Sequence, residues 1–356
     1  MADLIVNQIP SGKNVNFSSA TPSQREAAWR LNGVSWAPPM SLDAYLARET
    51  ALSETALAAN CNYCVLFDPA DSDQIISSCE AFAKTLFVRD ASSPAGDVRE
   101  EKAYGIASVY TNPTHRGNGM ATLLLNRLKE AMDADSRASV LYSDIGTVYY
   151  ARLGWSVYPS LQVSLIPDDA SALRAPEGVR YLEADDVPAY CAKDTELLRK
   201  KLASLPADGK THVAFAPSGD QMLWHFARDS FMAKELRGRE VVRRGAATVD
   251  GRAWVYWDHD FREKKLKVLR VAGDPEADVT ALLHAAVIEA ADWELAKVLV
   301  WNPDSGISAS AKRVSDRTDG AVRVIFDERL DGSIPSLRWK GEGEVVWEDN
   351  EYYAWC

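Results

Sequence analysis

The residues in this chain best suited to chemistry lie in one short run, Arg116-Gly117-Asn118-Gly119-Met120-Ala121. Two glycines one position apart let backbone N–H groups approach a ligand that any Cβ would hold off. A run rich in β-branched and aromatic residues (Ile106, Val109, Tyr110, Thr111) precedes them and stops at Asn112-Pro113, where the proline cannot donate to a sheet ladder. Beyond them Leu123, Leu124, Leu125, Leu128, Ala131 and Met132 recur at helical spacing. Strand, glycine turn and helix in that order aim a nest of N–H groups from a helix N-terminus. This is an anion site, and a phosphorylated cofactor is its usual occupant. No Lys-Ser or Lys-Thr follows the second glycine, and Thr122 stands where a dinucleotide loop would carry its third. The two common nucleotide loops are therefore excluded.

Three further groups have chemistry to offer. Tyr149 precedes, and Tyr150 begins, the segment Tyr150-Ala151-Arg152-Leu153-Gly154-Trp155, and a phenol with a pKa near 10 can serve as a general acid. Glu80 is a carboxylate in the otherwise apolar run beside Cys79. It suits a general base or an ammonium-binding group, and equally a strand-end residue facing water. Trp224, His225 and Arg228 share one helical turn. They either line an acceptor pocket, with Arg228 pairing a substrate carboxylate, or hold a domain interface.

The elements that must position these groups follow from local signals. Thr21-Pro22-Ser23-Gln24 starts a helix that Trp36-Ala37-Pro38-Pro39 breaks, and Ser41 caps a second one running towards Ala59. Tyr63 to Phe67 and Gln74 to Val88 read as strands flanking the turn residues Asp68 to Asp73. Ser139 to Asp144 is the next buried strand, a short helix carries Tyr149 and Tyr150, and extended structure resumes from Trp155 to Val163.

The 356 residues are too many for one ordinary core and suit two domains. A composition of 47% hydrophobic and 26% charged residues is that of a folded soluble protein. No segment approaches the roughly 20 apolar residues that span a bilayer, and Met1 to Val6 lack a signal-peptide layout. A net charge of -11 argues against nucleic acid and mildly favours cationic ligands. The five cysteines are scattered, with Cys61-Asn62-Tyr63-Cys64 a lone C-x-x-C without a partner pair, so no metal is expected and a reducing, cytoplasmic setting is.

Arg116 to Ala121 matches R/Q-x-x-G-x-G/A, and Tyr150 to Trp155 matches Y-x-x-x-G-F/W at the expected distance. Together they resemble the GCN5-related N-acetyltransferases. The resemblance implies acetyl-CoA as co-substrate, with Arg116, Gly117, Asn118, Gly119, Met120 and Ala121 on the pyrophosphate. It further implies that the main chains of Val109 and Thr111 hold the pantetheine and carbonyl, and that Tyr150 is the general acid. Histone-acetylating relatives carry a glutamate base at the position of Gly105; its absence points to Glu80 as the replacement, with His115 and Asp144 as outside candidates. Ser77-Ser78-Cys79-Glu80, Ser143-Asp144-Ile145-Gly146, Trp224 to Arg228, Leu269-Arg270-Val271, Val300 to Pro303 and Asn350 to Cys356 are similar to the fungal lysine N6-acetyltransferase family. That similarity suggests the side-chain amine of free L-lysine as acceptor. Another small amine, or a non-catalytic CoA-binding protein, are the competing readings.

The second half repeats the first. Laying Ala121–Tyr142 over Thr280–Trp301 aligns Leu123-Leu124 with Leu282-Leu283 and Val140-Leu141-Tyr142 with Leu299-Val300-Trp301. The expected fold is therefore α/β (an α+β mixed sheet) with tandem acetyltransferase-like units. Residues 1–175 bind the cofactor, and residues 176–356 are degenerate, because Pro275-Glu276-Ala277-Asp278 puts two acids where the first half has glycines. The aromatic tail from Trp347 to Trp355 is expected to dock, as a last strand of its own domain or at the mouth of the site.

Overall fold

The structure is a computed structural model that describes residues 5–8, 14–94, 96–274 and 277–356. The first half runs β1 (Ile5–Gln8), β2 (Asn14–Ser19), α1 (Pro22–Trp36), α2 (Leu42–Ser53), β3 (Cys61–Asp68), β4 (Asp71–Arg89), β5 (Arg99–Thr111), α3 (Met120–Met132), β6 (Ala138–Ser143), α4 (Tyr149–Arg152) and β7 (Ser156–Val157). The second runs β8 (Leu161–Pro167), β9 (Val179–Leu182), α5 (Val187–Ser204), β10 (Thr211–Phe215), α6 (Gly219–Arg237), β11 (Gly245–Thr248), β12 (Ala253–Asp260), β13 (Lys265–Gly273), α7 (Thr280–Asp292), β14 (Lys297–Trp301), α8 (Ser305–Arg317), β15 (Val322–Glu328), β16 (Ile334–Trp339) and β17 (Val345–Trp347).

The helix starts are set as their capping residues dictate. Thr21 accepts from the Gln24 N–H while the Gln24 side chain accepts from the Thr21 N–H, a complete capping box. Ser41 caps α2 through the Ala44 N–H. The repeat is real in three dimensions: β5 runs parallel to β6 with α3 between them, and β13 runs parallel to β14 with α7 between them. The right-handed crossover logic of parallel strands explains why both halves need a helix at that point.

Among the described residues the strands form one ten-stranded and one seven-stranded mixed sheet, and the two halves exchange strands between them. β8, which follows the first half directly, inserts in the second sheet between β14 and β15. The expected boundary at residue 175 lies beyond this strand. In return β16 pairs with β6 and β7 in the first sheet, and β10 pairs with the far end of β4. The tail does not end as a strand of its own domain: β17 lies parallel to β10 and so joins the first sheet. The apolar core is correspondingly shared. Leu86, Val88 and Val140 of the first sheet pack in one cluster with Trp254, Tyr256 and Leu299 of the second.

Candidate functional site

The site begins where β5 and β6 part. They are paired from Ala103/Ala138 to Ile106/Leu141 and no further. Beyond Ile106 the backbone of β5 faces a wedge rather than a neighbouring strand. On its other side β5 stays on β4, but with a bulge: Ser78 lies opposite Tyr110 and Glu80 opposite Ala107, so Ser108 and Val109 together face Cys79. Ser108 takes φ +53° to achieve this, a left-handed conformation that costs a non-glycine residue and marks functional sites.

The glycine turn sits at the end of the same strand. Gly117 and Gly119 have φ of +78° and +75°, and a Cβ on either would meet nothing within 4 Å. The glycines are therefore required by backbone angle and leave open space for a ligand. Gly119 is the N-cap of α3 and, among the described residues, no side chain caps that helix, so its first N–H groups stay available to an anion. Arg116 folds back, donating from Nε to the Thr111 carbonyl at 3.1 Å with its guanidinium 5.3 Å from the Tyr110 ring. Asn118 braces the turn through the His115 and Arg116 carbonyls. These residues fit a pyrophosphate.

The counterpart in the second half is filled by the chain itself. Pro275 and Glu276 lie outside the described residues, but Asp278 accepts from the Thr280 N–H at the start of α7 and pairs with Arg313 and Arg317. Desolvation alone would raise this carboxyl, yet the bonds from Thr280 and Arg313 hold it down at about 2. A carboxylate already at the helix N-terminus would repel a second anion.

The two candidate catalytic groups flank the wedge from opposite sides. Neighbouring residues of a strand point to opposite faces; Glu80 faces α1, while Cys79, one position before it, packs in the cluster with α3 and Tyr150. Tyr149 and Tyr150 are separated by their partners. The Tyr149 hydroxyl lies 3.1 Å from Thr122 Oγ1, whereas the Tyr150 hydroxyl makes no hydrogen bond among the described residues. Burial, then Tyr149, push the Tyr150 phenol up, so it stays protonated and free to donate.

Glu80 is held by two donors. Trp29 Nε1 donates to Oε1 at 3.4 Å and Ser108 Oγ to Oε2 at 3.2 Å. Burial and the nearby Glu49 carboxylate push its carboxyl up to about 7, against the pull of those bonds and of Arg48. Arg48, paired with Glu49, and Tyr45 come from α2. Sequence reasoning missed Trp29, Ser108, Arg48 and Glu49, which come together only through tertiary packing. The position of Gly105 is also explained. A Cβ there would lie 2.3 Å from Lys84 Cε and 2.8 Å from Cys356 Sγ. Lys84, bonded to Gln221, and the tail occupy the space a base at this point would need. Of the outside candidates, Asp144 is engaged by the Ser333 N–H at 2.8 Å and His115 lies half-buried in the turn.

The α6 residues divide. Trp224 is buried edge-on against Phe82 of β4, ring centroids 5.8 Å apart. His225 is completely buried, 3.2 Å from the Tyr353 carbonyl and 3.3 Å from Asp258, and burial lowers its pKa. Both hold the tail and the interface instead of lining a cavity. Arg228 is only partly buried and lies 5.5 Å from the Trp355 ring. Burial would lower it, but Asp260 and Asp258 outweigh that, and Glu49 of α2 also faces it. The structure thus brings Arg228 towards the Glu49 side of the site and leaves His225 outside it.

The chain is similar to known proteins in both halves. An acetyltransferase (GNAT) domain description matches residues 16–158, and the LYC1 GNAT-like C-terminal domain matches residues 163–356. A lysine acetyltransferase of Yarrowia lipolytica is 22% identical over 79% of this chain and 84% of its own length. An uncharacterised protein of Saccharomyces cerevisiae is 24% identical over 81% and 78%. Among solved structures, a GCN5-related N-acetyltransferase from Kribbella flavida superposes with TM-score 0.55 at 16% identity, covering 91% of this chain and 71% of that one. One from Anabaena variabilis gives 0.54 at 12% identity, covering 92% and 73%. The chain belongs to the GCN5-related N-acetyltransferase superfamily, its second half to the LYC1 GNAT-like C-terminal domain family.

Proposed function

We propose that the protein moves an acetyl group from acetyl-CoA to the primary amine of a small molecule by direct attack, with the side-chain amine of free L-lysine as first acceptor. The observation that carries this reading is the placement of a carboxylate and an unengaged phenol on opposite faces of a strand pair that splays above an uncapped helix. Bound acetyl-CoA would supply an activated acyl carbon. The N–H groups from Gly117 to Ala121 receive its pyrophosphate, and the main chain at Val109, facing the wedge, polarises the carbonyl. Glu80 takes one proton from the ammonium. The neutral nitrogen then forms the C–N bond as the C–S bond breaks, and Tyr150 gives its proton to the departing sulfur. The second proton leaving the nitrogen restores Tyr150, and Glu80 releases its own to solvent.

An amino acid as acceptor is supported by the charges gathered near Glu80: Glu49 with Arg48 on α2, and Arg228 on α6 as a partner for a carboxylate. The name of the Yarrowia relative points the same way. The acidic balance of the chain suits a cationic small molecule better than nucleic acid, and the reading needs neither membrane nor metal and places the enzyme in the cytoplasm. Purified protein incubated with acetyl-CoA and a panel of amines, with thiol release followed, is the test. Turnover on lysine above the other amines supports the reading; CoA binding without turnover on any amine sinks it.

A further inference from the structure

One polar group beside the base is unused. Ser78 lies two positions before Glu80 on β4, so both side chains leave the same face of the strand. Ser78 is 5% exposed and its Oγ has no hydrogen-bond partner among the described residues. Buried hydroxyls are rarely left so, because the lost water bonds cost free energy that nothing returns. With Glu80, Ser108, Trp29, Tyr63 and Arg25 it lines a small, partly open cavity of about 10 Å³, room for about one water molecule. An –NH₃⁺ group is close to water in size and brings three donors.

We propose that this cavity is the cradle for the reacting nitrogen, held between Ser78 Oγ and the Glu80 carboxylate, and that its size selects unbranched primary amines. Resting on the acetyltransferase reading above, the proposal names the part of the acceptor that is read. The residues divide the work. Glu80 accepts from the ammonium and Ser78 Oγ accepts a second N–H. The rings of Trp29 and Tyr63, set edge to face at 6.1 Å, wall the cradle, and the Arg25 guanidinium lies over both, 5.0 and 4.9 Å from their centroids. Ser108 and Trp29 spend their hydrogens on Glu80 and fix its orientation. The nitrogen is thereby held beside the bulge, one residue from the Val109 main chain. A methyl on the nitrogen has no room and would leave Ser78 unpaired again.

The experiment compares wild type, Ser78→Ala and Ser78→Gly on L-lysine and on lysine monomethylated at its side-chain nitrogen, with acetyl-CoA affinity and Tm measured alongside. Loss of one hydrogen bond to a charged group should raise KM for lysine about tenfold in Ser78→Ala, with kcat within about twofold and acetyl-CoA affinity unchanged. Wild type should strongly prefer lysine, and Ser78→Gly, which enlarges the cavity, should narrow that preference. Unchanged KM and unchanged preference in variants that still turn over would overturn the cradle and leave the enzyme reading standing. A fall in acetyl-CoA affinity or Tm in place of the KM effect would assign Ser78 a structural role and overturn it too. Absence of turnover on every amine would remove both readings together.

Discussion

Glu80 shows how one carboxyl is adjusted by its neighbours. Burial and Glu49 raise it to about 7 while Trp29 and Ser108 restrain it, so it is a stronger base than a surface carboxylate and still ionised above neutrality. Since the base must be charged to act, kcat/KM should climb about tenfold per pH unit below about 7 and flatten above it. Glu80→Gln should lower kcat by about 100-fold and erase that acidic limb, with acetyl-CoA binding intact; a limb surviving in the variant would assign it to another group. The two tyrosines separate by the same reasoning. Tyr150→Phe should cost kcat at least tenfold more than Tyr149→Phe, whose hydroxyl is committed to Thr122; equal losses would defeat the assignment. Glu80 could be found in the sequence because a carboxylate interrupts an apolar run. Trp29, Ser78 and Ser108 could not, since their importance depends on a strand register and a bulge that no local pattern encodes.

At the level of elements, strand, glycine turn and helix were readable because each signal is local: a proline that ends a ladder, two glycines, a helical period. Gly119→Glu would add strain at φ +75° and a negative charge at the start of α3. It should abolish acetyl-CoA binding in calorimetry while leaving the far-ultraviolet circular dichroism unchanged; retained affinity would relocate the phosphate site. The same turn in the second half shows the opposite choice, with Asp278 sitting where a phosphate would. Gly105→Ala tests the crowded side of β5. Its methyl must displace Lys84 and Cys356, an overpacking that should cost about 1–3 kcal/mol and lower Tm. The helix-then-strand repeat was equally legible. What it could not reveal is that β8 and β16 trade sheets, because a buried strand's apolar pattern says nothing of which neighbour it will pair with.

Across the whole molecule the second half contributes a buried charge network. His259 is 3.0 Å from Asp229 and 3.1 Å from Glu289, and Asp229 also pairs with Arg244. Burial would lower the His259 pKa, but hydrogen bonds donated to both carboxylates raise it above its ordinary value near 6.5. A raised folded pKa means the stabilisation is complete below about pH 6.5 and is lost as pH rises through the folded value. Denaturant midpoints should therefore fall on the alkaline side, and His259→Ala, which takes a hydrogen-bond partner from each of two buried acids, should cost about 3–5 kcal/mol and flatten that dependence. No local pattern announces this network: Asp229 and Glu289 stand 60 positions apart on different helices and meet only through His259, each of them 30 positions from it. The exchanged strands and the shared core also make the halves one cooperative unit. Calorimetry should show one unfolding transition, and two separate transitions would contradict the exchange.

The exchange also bears on the order in which the molecule can be made. The edge of β6 is covered by β16, and the contact just beyond it, Asp144 to Ser333, joins residues 189 positions apart. At a synthesis rate of roughly 5–20 residues per second, the first sheet waits about 10 to 40 seconds on the ribosome with an unpaired edge beside its cofactor wedge. A nascent chain stalled before residue 334 would present the glycine turn without the strand that closes its sheet. The closing of the first sheet is thus tied to the making of β16, and a copy that stops short of it is an open edge for chaperones to cover.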